Sequence, residues 1–135
     1  MKLVTRDTDY AVRALVYMAQ QRGRLVTSRE MVDELRIPRA FLRRILQQLG
    51  RHAVLKPIKG KMGGFVLSLP AEKIRLTDVM RIFQGSLEIS ECMFKKQVCP
   101  NRARCFLRKR IVSIEAYVVN QLRAISIASL LTEAR

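Results

Sequence analysis

The sequence predicts a mainly α-helical fold: a winged helix-turn-helix with a small β-hairpin wing and a long C-terminal helix that reads as a dimerisation helix. Three observations predict it. Two short amphipathic helical stretches meet at Ile37-Pro38, a basic, glycine-bearing hairpin follows directly, and a four-three apolar spacing runs through the last third of the chain.

The elements follow in order. Asp7 or Thr8 can cap a first helix running to about Arg22, with Ala11, Ala14, Leu15 and Met18 as its apolar stripe and Gly23 as its stop. Thr27 followed by Glu30 reads as a capping box for a short second helix that buries Met31, Val32 and Leu35. Pro38 suits the first position of a third helix ending near Gly50. Winding that helix at about 100° per residue gathers Phe41, Leu42, Ile45, Leu46 and Leu49 on one side and turns Arg43, Arg44, Gln47 and Arg51 to the other. Ala53 to Ile58 and Phe65 to Leu69 are β-type runs flanking Lys59-Gly60-Lys61-Met62-Gly63-Gly64, which reads as a cationic hairpin tip. A helix over Leu76–Phe83 follows, stopped by Gly85. Beyond a stretch without periodicity, a long helix begins near Asn101 or Arg102. Leu107, Ile111, Ile114, Val118, Leu122 and Ile125 line it as a seam, most simply for the same helix of a second copy, with packing back on its own domain as the alternative. The chain thus divides into a DNA-binding unit at 1–85, a cysteine-bearing loop at 86–106 and a dimerisation helix at 102–128, all within one compact domain.

Charge narrows the partner. Twenty-six Lys and Arg face eleven Asp and Glu, a formal charge of +15 that attracts polyanions. Arg36, Arg39, Arg43, Arg44, Arg51, Lys56, Lys59 and Lys61 lie between Glu34 and Glu72 with no acid among them. Guanidinium forks suit guanine edges, the Gln amide suits adenine, and lysines suit phosphate. Arg39, Arg43, Arg44, Gln47, Arg51, Lys59 and Lys61 are therefore the candidate contacts to a double-stranded DNA operator. No apolar run approaches the ~20 residues of a membrane span. The opening residues lack a secretion signal, so a cytoplasmic address is expected and no membrane partner. No Ser–His–carboxylate set or phosphate loop points to an enzyme, which leaves a small enzyme or an iron–sulfur scaffold as the remote alternative, and contact with RNA polymerase has no signature in the chain.

The three cysteines, Cys92, Cys99 and Cys105, fall within fourteen residues. Gaps of six and five residues are wider than the pairs of zinc ribbons and suit an iron–sulfur cluster. Lys95, Lys96, Arg102, Arg104 and Arg108 nearby would favour thiolates. Three free thiols working by disulfide or sulfenic acid chemistry are the alternative. The single histidine, His52, lies between the third helix and the hairpin, a poor place from which to reach the cysteines.

Thr8-Asp9-Tyr10-Ala11 with Arg13 and Leu15, Ile37-Pro38, Leu42, Ile45-Leu46, Leu49, Gly60, Gly63-Gly64-Phe65, Leu67, Leu76-Thr77-Asp78-Val79, Cys92, Cys99-Pro100 and Cys105-Phe106-Leu107 resemble the Rrf-two (Rrf2) family of bacterial transcriptional regulators, IscR/NsrR-like. The resemblance implies a homodimer on a pseudo-palindromic operator, and the expected regulator is a repressor or a dual regulator. It implies a [2Fe-2S] or [4Fe-4S] cluster on Cys92, Cys99 and Cys105 that senses nitric oxide, oxidants or iron–sulfur status. Arg108 stands where IscR-like members place a histidine, which favours [4Fe-4S] over [2Fe-2S]. Asp9 matches the aspartate that nitric-oxide sensors contribute to the cluster from the other subunit.

Overall fold

The structure, a computed structural model, describes residues 2–87 and 104–133. Cys92, Cys99 and most of the expected cysteine loop lie outside the described residues.

Helix α1 spans Arg6–Gln20 and starts earlier than Thr8 would place it, because Thr5 is its cap and accepts from the Thr8 amide. Thr8 is itself fully buried and its hydroxyl donates to Gln84 Oε1 at 2.7 Å. Helix α2 spans Ser28–Leu35, with Thr27 accepting from the Glu30 amide at the expected cap. It ends at Arg36, whose left-handed backbone (φ 55°) reverses the chain before Ile37-Pro38. Helix α3 spans Arg39–Arg51, with Pro38 as N-cap rather than as the first helical residue.

The apolar stripes read from the sequence form the core. Ala11, Ala14, Leu15 and Met18 of α1 meet Leu42, Ile45, Leu46 and Leu49 of α3, with Met31 of α2 against them. Phe41, Val32 and Leu35 are half-buried at its margin. Strands β1 (Leu55–Ile58) and β2 (Gly64–Leu67) pair antiparallel, Leu55 opposite Leu67 and Ile58 opposite Gly64. A further bridge ties Val26, just before α2, to Phe65 through a pair of backbone bonds of 3.0 and 2.8 Å. The hairpin is thereby fastened to the helix-turn-helix. Gly64 is required at this junction: a Cβ there would lie 2.6 Å from the Val26 carbonyl oxygen.

Helix α4 (Leu76–Gln84) also packs on α1. Helix α5 spans Phe106–Arg123 and is followed by the short α6 (Ile127–Glu133), which the sequence pattern did not announce. Ser126 and Ser129 exchange side chain-to-amide bonds of 3.0 and 3.1 Å at the start of α6, and Ile127 is fully buried in the core. Among the expected seam residues, Leu122 packs inward on Leu76 and Met80 of α4, and Ile125 falls beyond the end of α5. Leu107 and Ile114 remain exposed, joined by Phe106, Val112 and Tyr117.

Candidate nucleic-acid interface and cysteine site

Because the apolar residues of α3 face α1, its other side is left to water. Arg39, Arg43, Gln47 and Arg51 recur every fourth residue there and are all exposed. They form one stripe along the helix. Arg39, Arg43 and Gln47 also edge a cleft of about 380 Å³ that Val32, Leu42, Leu46 and Phe65 line with apolar surface. The cleft joins α2, α3 and β2, so the exposed basic stripe and the hairpin border one cleft. Ser28, at the first turn of α2, lines the same cleft; helical periodicity alone does not place it there.

Arg44 differs from its neighbours. Its guanidinium donates to Asp7 of α1 at 2.9 Å and lies 5.1 Å from the centre of the Phe41 ring, which in turn meets Tyr10 edge-on at 6.3 Å. It belongs to the contact between α1 and α3 rather than to the stripe. Lys59 and Lys61 are exposed on the loop joining the two strands. That loop closes through a 3.0 Å bond from the Gly63 amide to the Gly60 carbonyl. His52 caps the end of α3, its Nδ1 3.0 Å from the Gln48 carbonyl oxygen.

A charged cluster braces α2 against α1. Glu30 of α2 accepts from the Tyr17 hydroxyl at 2.6 Å and pairs with Arg24. The Arg24 guanidinium, then the Tyr17 hydroxyl, hold the Glu30 carboxyl well below its ordinary range, at about 2.

Of the cysteines, Cys105 alone falls within the described residues. It caps α5, and its Sγ accepts from the Arg108 amide at 3.3 Å; the residue is half-buried. Asp9 pairs with Arg13 one turn along α1 at 2.9 Å, both side chains about half exposed. Among the described residues no three His, Cys, Asp or Glu side chains converge on a metal position, so Asp9 and Cys105 are not brought into one such group. Gln84, the last residue of α4, stands at the entrance to the cysteine segment. Its side chain accepts from Thr8 and from the Thr5 amide at 3.0 Å, and donates to the Leu3 carbonyl at 3.0 Å.

Two helices joined by a turn, an exposed basic stripe on the second and a hairpin fastened beside it define a winged helix-turn-helix DNA-binding protein. The sequence model of the Rrf2 family, described as iron-dependent transcriptional regulators, matches residues 4–133, and the chain belongs to that family. A putative HTH-type transcriptional regulator of Aquifex aeolicus is 33% identical over 98 residues, covering 72% of this chain and 68% of the relative. Protein aau3 of Rhizobium meliloti is 33% identical over 105 residues, covering 77% and 68%. Among solved structures, CymR, the global cysteine regulator of B. subtilis, superposes with a TM-score of 0.78 at 18% identity over 98% of both chains. IscR of T. potens does so with a TM-score of 0.70 at 23% identity over 100% of this chain and 89% of its own. These two likenesses bear on the fold. The chain is thus a transcriptional regulator, and among its described residues no helix is long and apolar enough to cross a membrane.

Proposed function

We propose that the protein is a homodimeric regulator, acting as a repressor, whose affinity for a palindromic operator is set by an iron–sulfur cluster. The observation that carries the DNA half is the stripe Arg39, Arg43, Gln47 and Arg51 beside a lysine-bearing wing. Arg43 and Gln47 would read base edges; Arg39, Arg51, Lys59 and Lys61 would hold phosphates. Arg44 would join them once released from Asp7. The exposed apolar side chains of α5 support pairing with a second copy, since a patch of that kind is unfavourable in water. Paired recognition helices then meet half-sites about 34 Å apart, or a multiple of that.

Cys92, Cys99 and Cys105 would hold the cluster, with Asp9 of the partner subunit as a fourth ligand. The donor chemistry at Cys105 fits: its sulfur accepts an amide hydrogen, and Arg104, Arg108 and Lys109 surround it in sequence. When bound, such a cluster supplies a site that reacts with nitric oxide or oxidants. Gln84 supports a route to DNA, because it clasps the first turn of α1, and that turn holds Arg44 through Asp7. A [4Fe-4S] cluster accords with Arg108 in place of a histidine.

Iron and acid-labile sulfide analysis of anaerobically purified protein, with its visible spectrum, tests the cluster. A brown protein carrying both elements, lost in Cys105→Ser, is expected. A colourless protein without iron would favour the second reading, a cluster-free thiol regulator, which the free, half-buried Cys105 thiol supports.

A further inference from the structure

Met62 is 88% exposed, more than any other large apolar side chain among the described residues. It stands at the tip of the wing, between Gly63 and the exposed Lys61. The loop that carries it is tightly closed. A Cβ at Gly63 would lie 2.3 Å from the Ile58 carbonyl oxygen and 2.8 Å from that of Gly60, so the backbone beneath Met62 folds back on the hairpin as only glycine permits. The bond between Gly63 and Gly60 fixes the closure. A lone exposed apolar side chain is ordinary on a protein surface; Met62 is distinguished by its place, on a closed turn between cationic side chains at the end of the wing. Lys59 and Lys61 bear on which partner the tip approaches: both are exposed and draw it to a polyanion, and Phe65 of the same hairpin lines the cleft edged by Arg39, Arg43 and Gln47.

Duplex DNA offers an apolar tip either the thymine methyl groups of the major groove or, where the stack opens, the faces of the base pairs. Base-pair faces become accessible where a step is partly unstacked, and apolar side chains, methionine among them, act as wedges there from the minor groove. The unbranched, polarisable thioether adapts to an irregular slot. From this placement we infer that Met62 is a minor-groove wedge: the wing inserts it beside the α3 contacts, kinks the duplex, and selects an easily unstacked pyrimidine–purine step at that position. The inference rests on the DNA-binding function proposed above and adds a determinant of specificity that reads deformability rather than hydrogen bonds.

The test uses the duplex that the native protein selects from a random pool, end-labelled so that energy transfer reports its bend. Native protein and Met62→Leu are expected to bend it and to favour a TA or CA step at the wing position. Met62→Ala should straighten the complex, lose that step preference and bind roughly tenfold more weakly, the scale of one mismatched base pair. A straight native complex, or a Met62→Ala complex that bends and discriminates like the native one, overturns the wedge while leaving the DNA-binding function standing. Failure of the native protein to select any duplex overturns that function and the wedge with it.

Discussion

Asp7, in the first turn of α1, accepts a 2.9 Å bond from Arg44 of α3, and so takes one of that helix's guanidiniums out of the outward-facing stripe. The pair is exposed at 53% and 36%, and pairs so exposed contribute about 0–1 kcal/mol. Asp7→Asn is therefore expected to leave the thermal midpoint almost unchanged while freeing Arg44 for phosphate, which raises affinity for random duplex. An unchanged ratio of random to operator binding would contradict the role of the pair.

Within the stripe, Arg43→Ala and Gln47→Ala should each weaken operator binding by about 1–3 kcal/mol and relax base preference at one position. Arg44→Ala should cost less and leave base preference intact, because its side chain is already engaged. Binding isotherms on single-substituted operators check this. Lys59→Ala and Lys61→Ala should weaken all duplexes alike and reduce the slope of log affinity against log salt by about 0.9 for each phosphate that the lysine no longer neutralises.

Much of this surface was legible in the sequence because helical periodicity alone separates the Leu42, Ile45, Leu46 and Leu49 face from Arg43 and Gln47. What escaped depends on distant partners. Thr8 looks like a cap, but its hydroxyl is used by Gln84, seventy-six positions away, and Thr5 caps in its place. Arg44 looks equivalent to Arg43 until α1 is packed against it. Helix α6 is short, and its signal was the Ser126–Ser129 pair of mutual caps, hidden by a seam pattern that continued to Ile125. The candidate cluster set was legible as spacing and resemblance, while its geometry at Cys92 and Cys99 lies outside the described residues.

The clasp around Gln84 gives a stability prediction. Gln84→Ala removes the acceptor of Thr8 and Thr5 and the donor to Leu3, leaving the buried Thr8 hydroxyl without that acceptor. That hydroxyl keeps its 3.0 Å contact with the Thr5 hydroxyl, so the loss comes from the hydrogen bonds removed, about 0.5–1.5 kcal/mol each, read as a shift in the urea midpoint. A midpoint equal to the native one would show that the clasp contributes nothing.

Glu30 makes stability sensitive to acid. Its folded-state pKa, about 2, lies below the ordinary 4.5, so its contribution is present above 4.5 and is lost as pH falls from there toward 2. The same hydrogen bond raises the Tyr17 hydroxyl above 10.0, so the cluster also weakens as pH climbs beyond that value. Urea midpoints across pH should fall in the acid window for the native chain and more shallowly for Glu30→Gln. Parallel acid limbs would refute the assignment.

The most direct measurement is the affinity of the anaerobically purified protein for its selected operator, before and after one treatment with nitric oxide. A cluster-controlled regulator predicts tight, salt-sensitive binding that changes when nitric oxide bleaches the visible absorbance, and a Cys105→Ser protein fixed at the bleached value. Identical isotherms before and after bleaching, matched by Cys105→Ser, would contradict control of the DNA-binding face by the cysteine site.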